Sequence, residues 1–156
     1  MLANGRTTIE GRSGNGGATE NVSASVAPSD TAGQIDLVRW LSWSSEHFTR
    51  HAGMLYFQHL IRPRLLGETP DAKAVEEATA SFKQFARVLD DHLRDRPYLL
   101  GDRLTIADFA VGVTLPYAEE AKIPLAGFQA IERWHGRLAE LPAWQDPFPS
   151  RVSAAG

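Results

Sequence analysis

The chain contains no cysteine among its 156 residues. That excludes a disulfide framework, a thiolate-bound zinc and a cysteine nucleophile. Aromatic residues are missing from one region: of 7 Phe, 4 Trp and 3 Tyr, none precedes position 33, and that opening segment is rich in glycine. It has too little apolar surface to offset the entropy of ordering it, so residues 1–28 are expected to be a disordered segment or the remnant of something preceding. No apolar run approaches the roughly 18 residues that span a bilayer, so no membrane is expected as a partner. A net charge of −3 with signs well mixed leaves no basic stripe for nucleic acid. Met1 to Gly5 has no signal-peptide core, which makes the cytoplasm the expected location. Glycine-rich phosphate loops and a G-x-S-x-G elbow are also absent, and no segment alternates apolar and polar residues over the length of a strand.

What the sequence does contain is helical period, and the expected class is an all-α bundle. Asp30 is a candidate N-cap for a first helix from Ser29 or Asp30 to Arg62, with Pro63 ending it. Leu37, Leu41, Ser45, Phe48, Ala52 and Leu55 recur at steps of three and four, as a buried stripe does. Asp36 with Arg39 and Glu46 with Arg50 are spaced for surface pairs. Thr69-Pro70-Asp71 looks like a cap with proline at the first helical position, opening a second helix to about Arg94. Val75, Ala78, Phe82, Phe85, Leu89 and Leu93 form its apolar face, and Arg87 with Asp91 and Asp90 with Arg94 can pair outside. A fourth helix carries Phe128, Ile131, Trp134, Leu138 and Leu141 and is expected to stop at Pro142. The helical domain therefore runs over 29–149, followed by a tail at 150–156.

The third helix is the best marked. Between Phe109 and Ala118 there is no charged side chain, so a helix from Ile106 to Lys122 is expected to be internal, with a bend at Pro116. Thr105 and Asp108 stand at the spacing of a capping box, and Leu104 and Phe109 at that of a hydrophobic staple. Gly101-Asp102 supplies the turn before them. These four residues are expected to be structural.

Leu99-Leu100-Gly101-Asp102-Arg103-Leu104-Thr105-Ile106-Ala107-Asp108-Phe109 resembles the capping motif in the C-terminal helical domain of cytosolic glutathione S-transferases, of the bacterial type. The resemblance runs from about Pro28 to Pro149. It implies a helical bundle, glutathione as co-substrate, and a hydrophobic electrophile pocket. Its implied partners are a thioredoxin-like domain or a second subunit meeting the first two helices, as in a homodimer. The family's thiol-activating Ser, Tyr or Cys, its cis-proline and its Glu-Ser pair have no matched position here. Asn4 to Glu10 looks like the end of the hairpin before that pair, but the next serine is Ser13, two residues late. No catalytic residue can be assigned, and no cofactor is expected on this chain alone. Two readings follow: the helical part of a glutathione transferase, inactive by itself, or a non-catalytic interaction module built on the same domain.

A second stripe on the first helix runs Trp40, Trp43, His47, His51, Met54, which is odd for a plain core. His47 and His51 have the spacing of two metal ligands. The intervening order is Glu-His-Phe-Thr-Arg-His, not His-Glu-x-x-His, and no third ligand is indicated, so no metal is expected. The resemblance gives the stripe another role: in similar bacterial proteins a Glu-His pair and one further side chain line the pocket. Glu46, His47 and Phe48 match that position, with Trp43 and His51 on either side. An imidazole there can donate a hydrogen bond, and an indole gives a flat apolar wall.

Overall fold

The computed structural model describes residues 27–145. The expectations for residues 1–26, including the hairpin remnant, and for 146–156 lie outside them. Among the described residues the regular structure is helical, apart from an isolated bridge between Tyr98 and Gly101.

The first helical path begins at α1 (Thr31–Trp43), where Asp30 caps it by accepting the Gly33 N–H at 2.9 Å. It passes through a π-helical turn (Ser44–Phe48) into α2 (Thr49–Tyr56), then a second π segment (Phe57–Leu66). Two expectations change here. Pro63 does not end the helix but sits within the second π segment, and the chain turns instead at Gly67, whose φ of 67° suits a residue without Cβ. Proline is disruptive in an α-helix because its ring strikes the carbonyl four residues back, and a wider π turn relaxes that clash. The first π turn adds a residue per repeat and so rotates the face. Ser44, not Ser45, faces inward, and its hydroxyl bonds that of Thr49 at 2.5 Å. The expected surface pairs form, Asp36 to Arg39 at 3.1 Å and Glu46 to Arg50 at 3.7 Å.

Helix α3 (Ala72–Leu93) starts two residues later than expected, because Asp71 and not Thr69 is its cap. The Asp71 carboxylate accepts the N–H groups of Lys73 and Ala74, while buried Gln58 accepts the Asp71 N–H at 2.9 Å. Aspartate competes better than threonine for that position, and a tertiary bond holds it there. Ala78, Phe82, Ala86, Leu89 and Leu93 form the inner face.

The third helix is much shorter than its apolar run. Helix α4 (Ile106–Gly112) gives way to a 3-10 turn (Leu115–Tyr117), so Pro116 coincides with a helix already ended and not with a bend. Nor is it internal on every face: Ala107, Asp108, Val111 and Gly112 are buried, whereas Ile106 and Val113 are about half exposed. Helix α5 (Gln129–Ala139) packs on α3, and Pro142 opens the short α6 (Pro142–Gln145) instead of stopping the chain. The core is the space between α1–α2, α3, α4 and α5, filled by Phe48, Leu55, Phe82, Leu89, Val111, Ile131, Trp134 and Leu138.

Asp90 does not pair with Arg94. Its Oδ1 accepts the backbone N–H groups of Ala130 at 2.8 Å and Ile131 at 3.0 Å, so α3 supplies a cap for α5. Arg94 pairs with Asp91 instead. Asp90→Ala removes the acceptor for two first-turn amides and is expected to cost about 1–2 kcal/mol in urea unfolding, at the upper end for a lost cap. A surface ion pair would cost well under ~1 kcal/mol. A loss that small would mean the tertiary cap contributes nothing.

Candidate functional site

The Trp-His stripe does not line open solvent. It forms a seam with α3, and the residue that joins it there is Phe85. Trp43 is half-buried, with Trp40 at 5.1 Å edge-on and Phe85 at 6.3 Å. The His47 ring stacks on Phe85 with centroids 4.4 Å apart and planes 16° apart. His51 lies parallel to the same ring, at 5.6 Å and 4°. Phe48, which its spacing puts on the buried stripe and the resemblance puts in the pocket, is fully buried: it stacks on Trp43 at 6.2 Å and meets Phe82 at 4.9 Å, so it supports the seam from within.

Trp43, His47 and His51 keep exposed edges. Beside His51 lies a groove of about 260 Å³ between α2 and α3, also lined by Arg50, Met54, Glu77 and Ser81. It offers donors from Arg50 and Ser81, an apolar floor at buried Ala78 and an exposed thioether at Met54, next to the His51 imidazole, which can donate or accept. Spacing alone does not identify Phe85 and His92 as partners of the stripe. Their signal was available as an aromatic at the edge of the α3 apolar face, but not which helix would meet it. His92 sits against Trp40 at 4.4 Å and bonds the Leu99 carbonyl at 2.8 Å. No grouping of three or more potential metal ligands occurs among the described residues.

Burial pushes the His51 pKa below the ordinary value, with Arg50 and His47 adding to the shift. A lowered pKa keeps His51 neutral near pH 7. His59, His92 and His135 are also lowered, each mainly by burial. The folded chain therefore binds fewer protons than the unfolded chain just below the usual histidine value near 6.5. Their contribution to stability is full above that value and is lost as pH falls from it through the lowered values of the folded chain. The melting temperature is accordingly expected to be lower at about pH 5.5 than at about pH 7.5; a rise on acidification would refute this.

The capping motif is more than a local box. Asp108, with no exposed surface, accepts four hydrogen bonds. Its Oδ2 takes the Thr105 N–H at 2.9 Å and the Thr105 hydroxyl at 3.2 Å. Its Oδ1 takes the Leu99 N–H and the Trp134 indole N–H, both at 2.9 Å. Leu104 is half-buried against the core, while Phe109 packs on Trp144 at 5.7 Å. The preceding turn closes as expected, with Gly101 at a φ of 104° and paired to Tyr98 through both backbone groups.

Comparison with known proteins places these features in a family context. The family described as "Glutathione S-transferase, C-terminal domain" matches residues 72–150. Glutathione S-transferase 3 of Zea mays is 38% identical over 119 residues, covering 74% of this chain and 53% of that protein. The apo structure of glutathione S-transferase III superposes with a TM-score of 0.64 at 34% identity, covering 72% of this chain and 52% of the other. Glutathione S-transferase-I, solved with lactoylglutathione bound, gives a TM-score of 0.68 at 26% identity, covering 75% and 56%. The chain spans about half the length of the curated relatives it matches.

Proposed function

Because the chain belongs to the glutathione S-transferase C-terminal domain family, we propose that its helical domain supplies the apolar wall that holds an electrophile while glutathione is added to it. The observation that carries this reading is the set of rings gathered on Phe85: Trp43, His47 and His51, half-buried and still open along one edge. A planar aromatic electrophile can stack on such a rim, with a gain of roughly 0.5–1.5 kcal/mol per ring contact beyond simple burial. Neutral His51 can bond a polar substituent without the cost of desolvating a charge.

Conjugation also needs the thiol of glutathione, whose pKa near 8.5 leaves it mostly protonated at neutral pH. Rate acceleration requires a donor aimed at the sulfur. Among the described residues, Ser44 and Thr49 have their hydroxyls turned on each other, and Thr105 gives its hydroxyl to Asp108. We assign glutathione binding and thiol activation to a thioredoxin-like domain, with a second copy of the chain as a possible partner through the first two helices. The test is passage of the purified 156-residue chain over glutathione resin, beside the same chain joined to a thioredoxin-like domain. Retention of the joined form alone is expected. Specific retention of the isolated chain, eluted by free glutathione, would overturn the assignment.

A further inference from the structure

Helix α6 has only four residues, far below the length at which a helix persists by itself. It is held by the Trp144 and Gln145 amides bonding the Leu141 carbonyl at 2.9 and 3.1 Å, and by the Gln145 side chain bonding Ala139 at 2.8 Å. The pin is Trp144, whose indole tilts on Phe109 at 5.7 Å and meets His135 edge-on at 6.3 Å. Gly112 makes room for it, since a Cβ there would lie 3.3 Å from the far edge of the indole. His135 Nε2 and Trp144 Nε1 are both buried, and neither has a hydrogen-bonding partner among the described residues.

We propose that His135 is an acid-sensitive latch for Trp144: protonation of the imidazole expels the indole, releases α6 and uncovers an apolar seat at Phe109, Gly112 and Leu138. No hydrogen bond joins the two rings; the indole N–H can only donate, so a neutral imidazole sets a lone pair beside it, whereas an imidazolium sets a second donor and a charge there. Cation–π attraction reaches to about 6 Å of the ring centroid and is worth roughly 0.5–2 kcal/mol. At 6.3 Å the gain is at its margin, and His135 is half-buried with Nε2 out of solvent, so a charge there loses part of its hydration without gaining a partner. Among the described residues, the surroundings offer no compensating carboxylate. On α5, Glu132 is exposed, and Arg133 and Arg137 reach the carbonyls of Arg94 and Pro97. On α4, Asp108 already accepts four bonds, and residues 142–145 include no titratable group. Burial pushes the pKa of His135 below its ordinary value.

The test is amide hydrogen exchange, corrected for intrinsic rates, at about pH 7.5 and about pH 5.5, on either side of the ordinary imidazole value. Protection at Trp144 and Gln145 is expected to fall several-fold on acidification while Ile131 and Leu138 on α5 keep theirs. In His135→Phe, or in His135→Gln should the first not fold, the pH dependence at Trp144 should vanish. A tryptophan fluorescence titration gives a second readout: the acid-induced change in the parent should be missing from Trp144→Phe. Acid loss that persists in the His135 variants, or that strikes α5 equally, overturns the latch.

Discussion

Asp108→Ala is expected to lower unfolding free energy by about 3–5 kcal/mol, because it leaves several buried donors without an acceptor. Four donors converge on that carboxylate, three of them fixed by backbone or by the Trp134 ring. Leaving a buried donor unpaired costs roughly 1–3 kcal/mol. Some relaxation and water entry keep the sum below the simple total, yet it remains a large part of the ~5–15 kcal/mol that holds a domain together. An ordinary lost cap would cost only ~1 kcal/mol. The measurement is a urea midpoint, with Trp134→Phe as the companion that removes one donor only. Because the two residues touch, their effects should be non-additive in the double variant. If Asp108→Ala unfolds at the parent midpoint, the carboxylate is not the junction between the Leu99 turn, α4 and α5.

The second large effect is on activity. The isolated chain should show no conjugation above the uncatalysed rate, and the chain joined to a thioredoxin-like domain should accelerate it by about a hundredfold or more, which is what aimed donors typically contribute. In the joined protein, Trp43→Ala is expected to raise KM for an aromatic electrophile by roughly tenfold, the equivalent of about 1.4 kcal/mol of lost contact. Trp43→Phe should restore most of it. His47→Ala should act on the same KM, or on kcat if the imidazole reaches the reacting groups. Steady-state kinetics separates these, since a change in KM alone marks binding shared by ground and transition states. Saturable conjugation by the isolated chain would instead place a thiol-activating group inside the helical domain, with His47 and His51 the first to substitute.

Some of this molecule could be read directly from residue order. Asp30 as a cap, the turn at Gly101, the pairing of Thr105 with Asp108 and the inner faces of α3 and α5 are local matters, set by side chains within one or two turns. The all-α class follows from the same short-range periods. What needed the tertiary structure was each residue whose partner lies far along the chain. Asp90 caps a helix about forty residues away, and in isolation its spacing from Arg94 describes a surface pair equally well. Asp108 reaches Trp134 across the core, which no local box foretells. The first π turn brings Ser44 inward in place of Ser45, because wider turns change the angle per residue on which every stripe argument depends. For the same reason the Trp-His stripe was legible as a stripe, while its seat on Phe85 was not. Period tells which residues share a face, and only packing decides what that face meets.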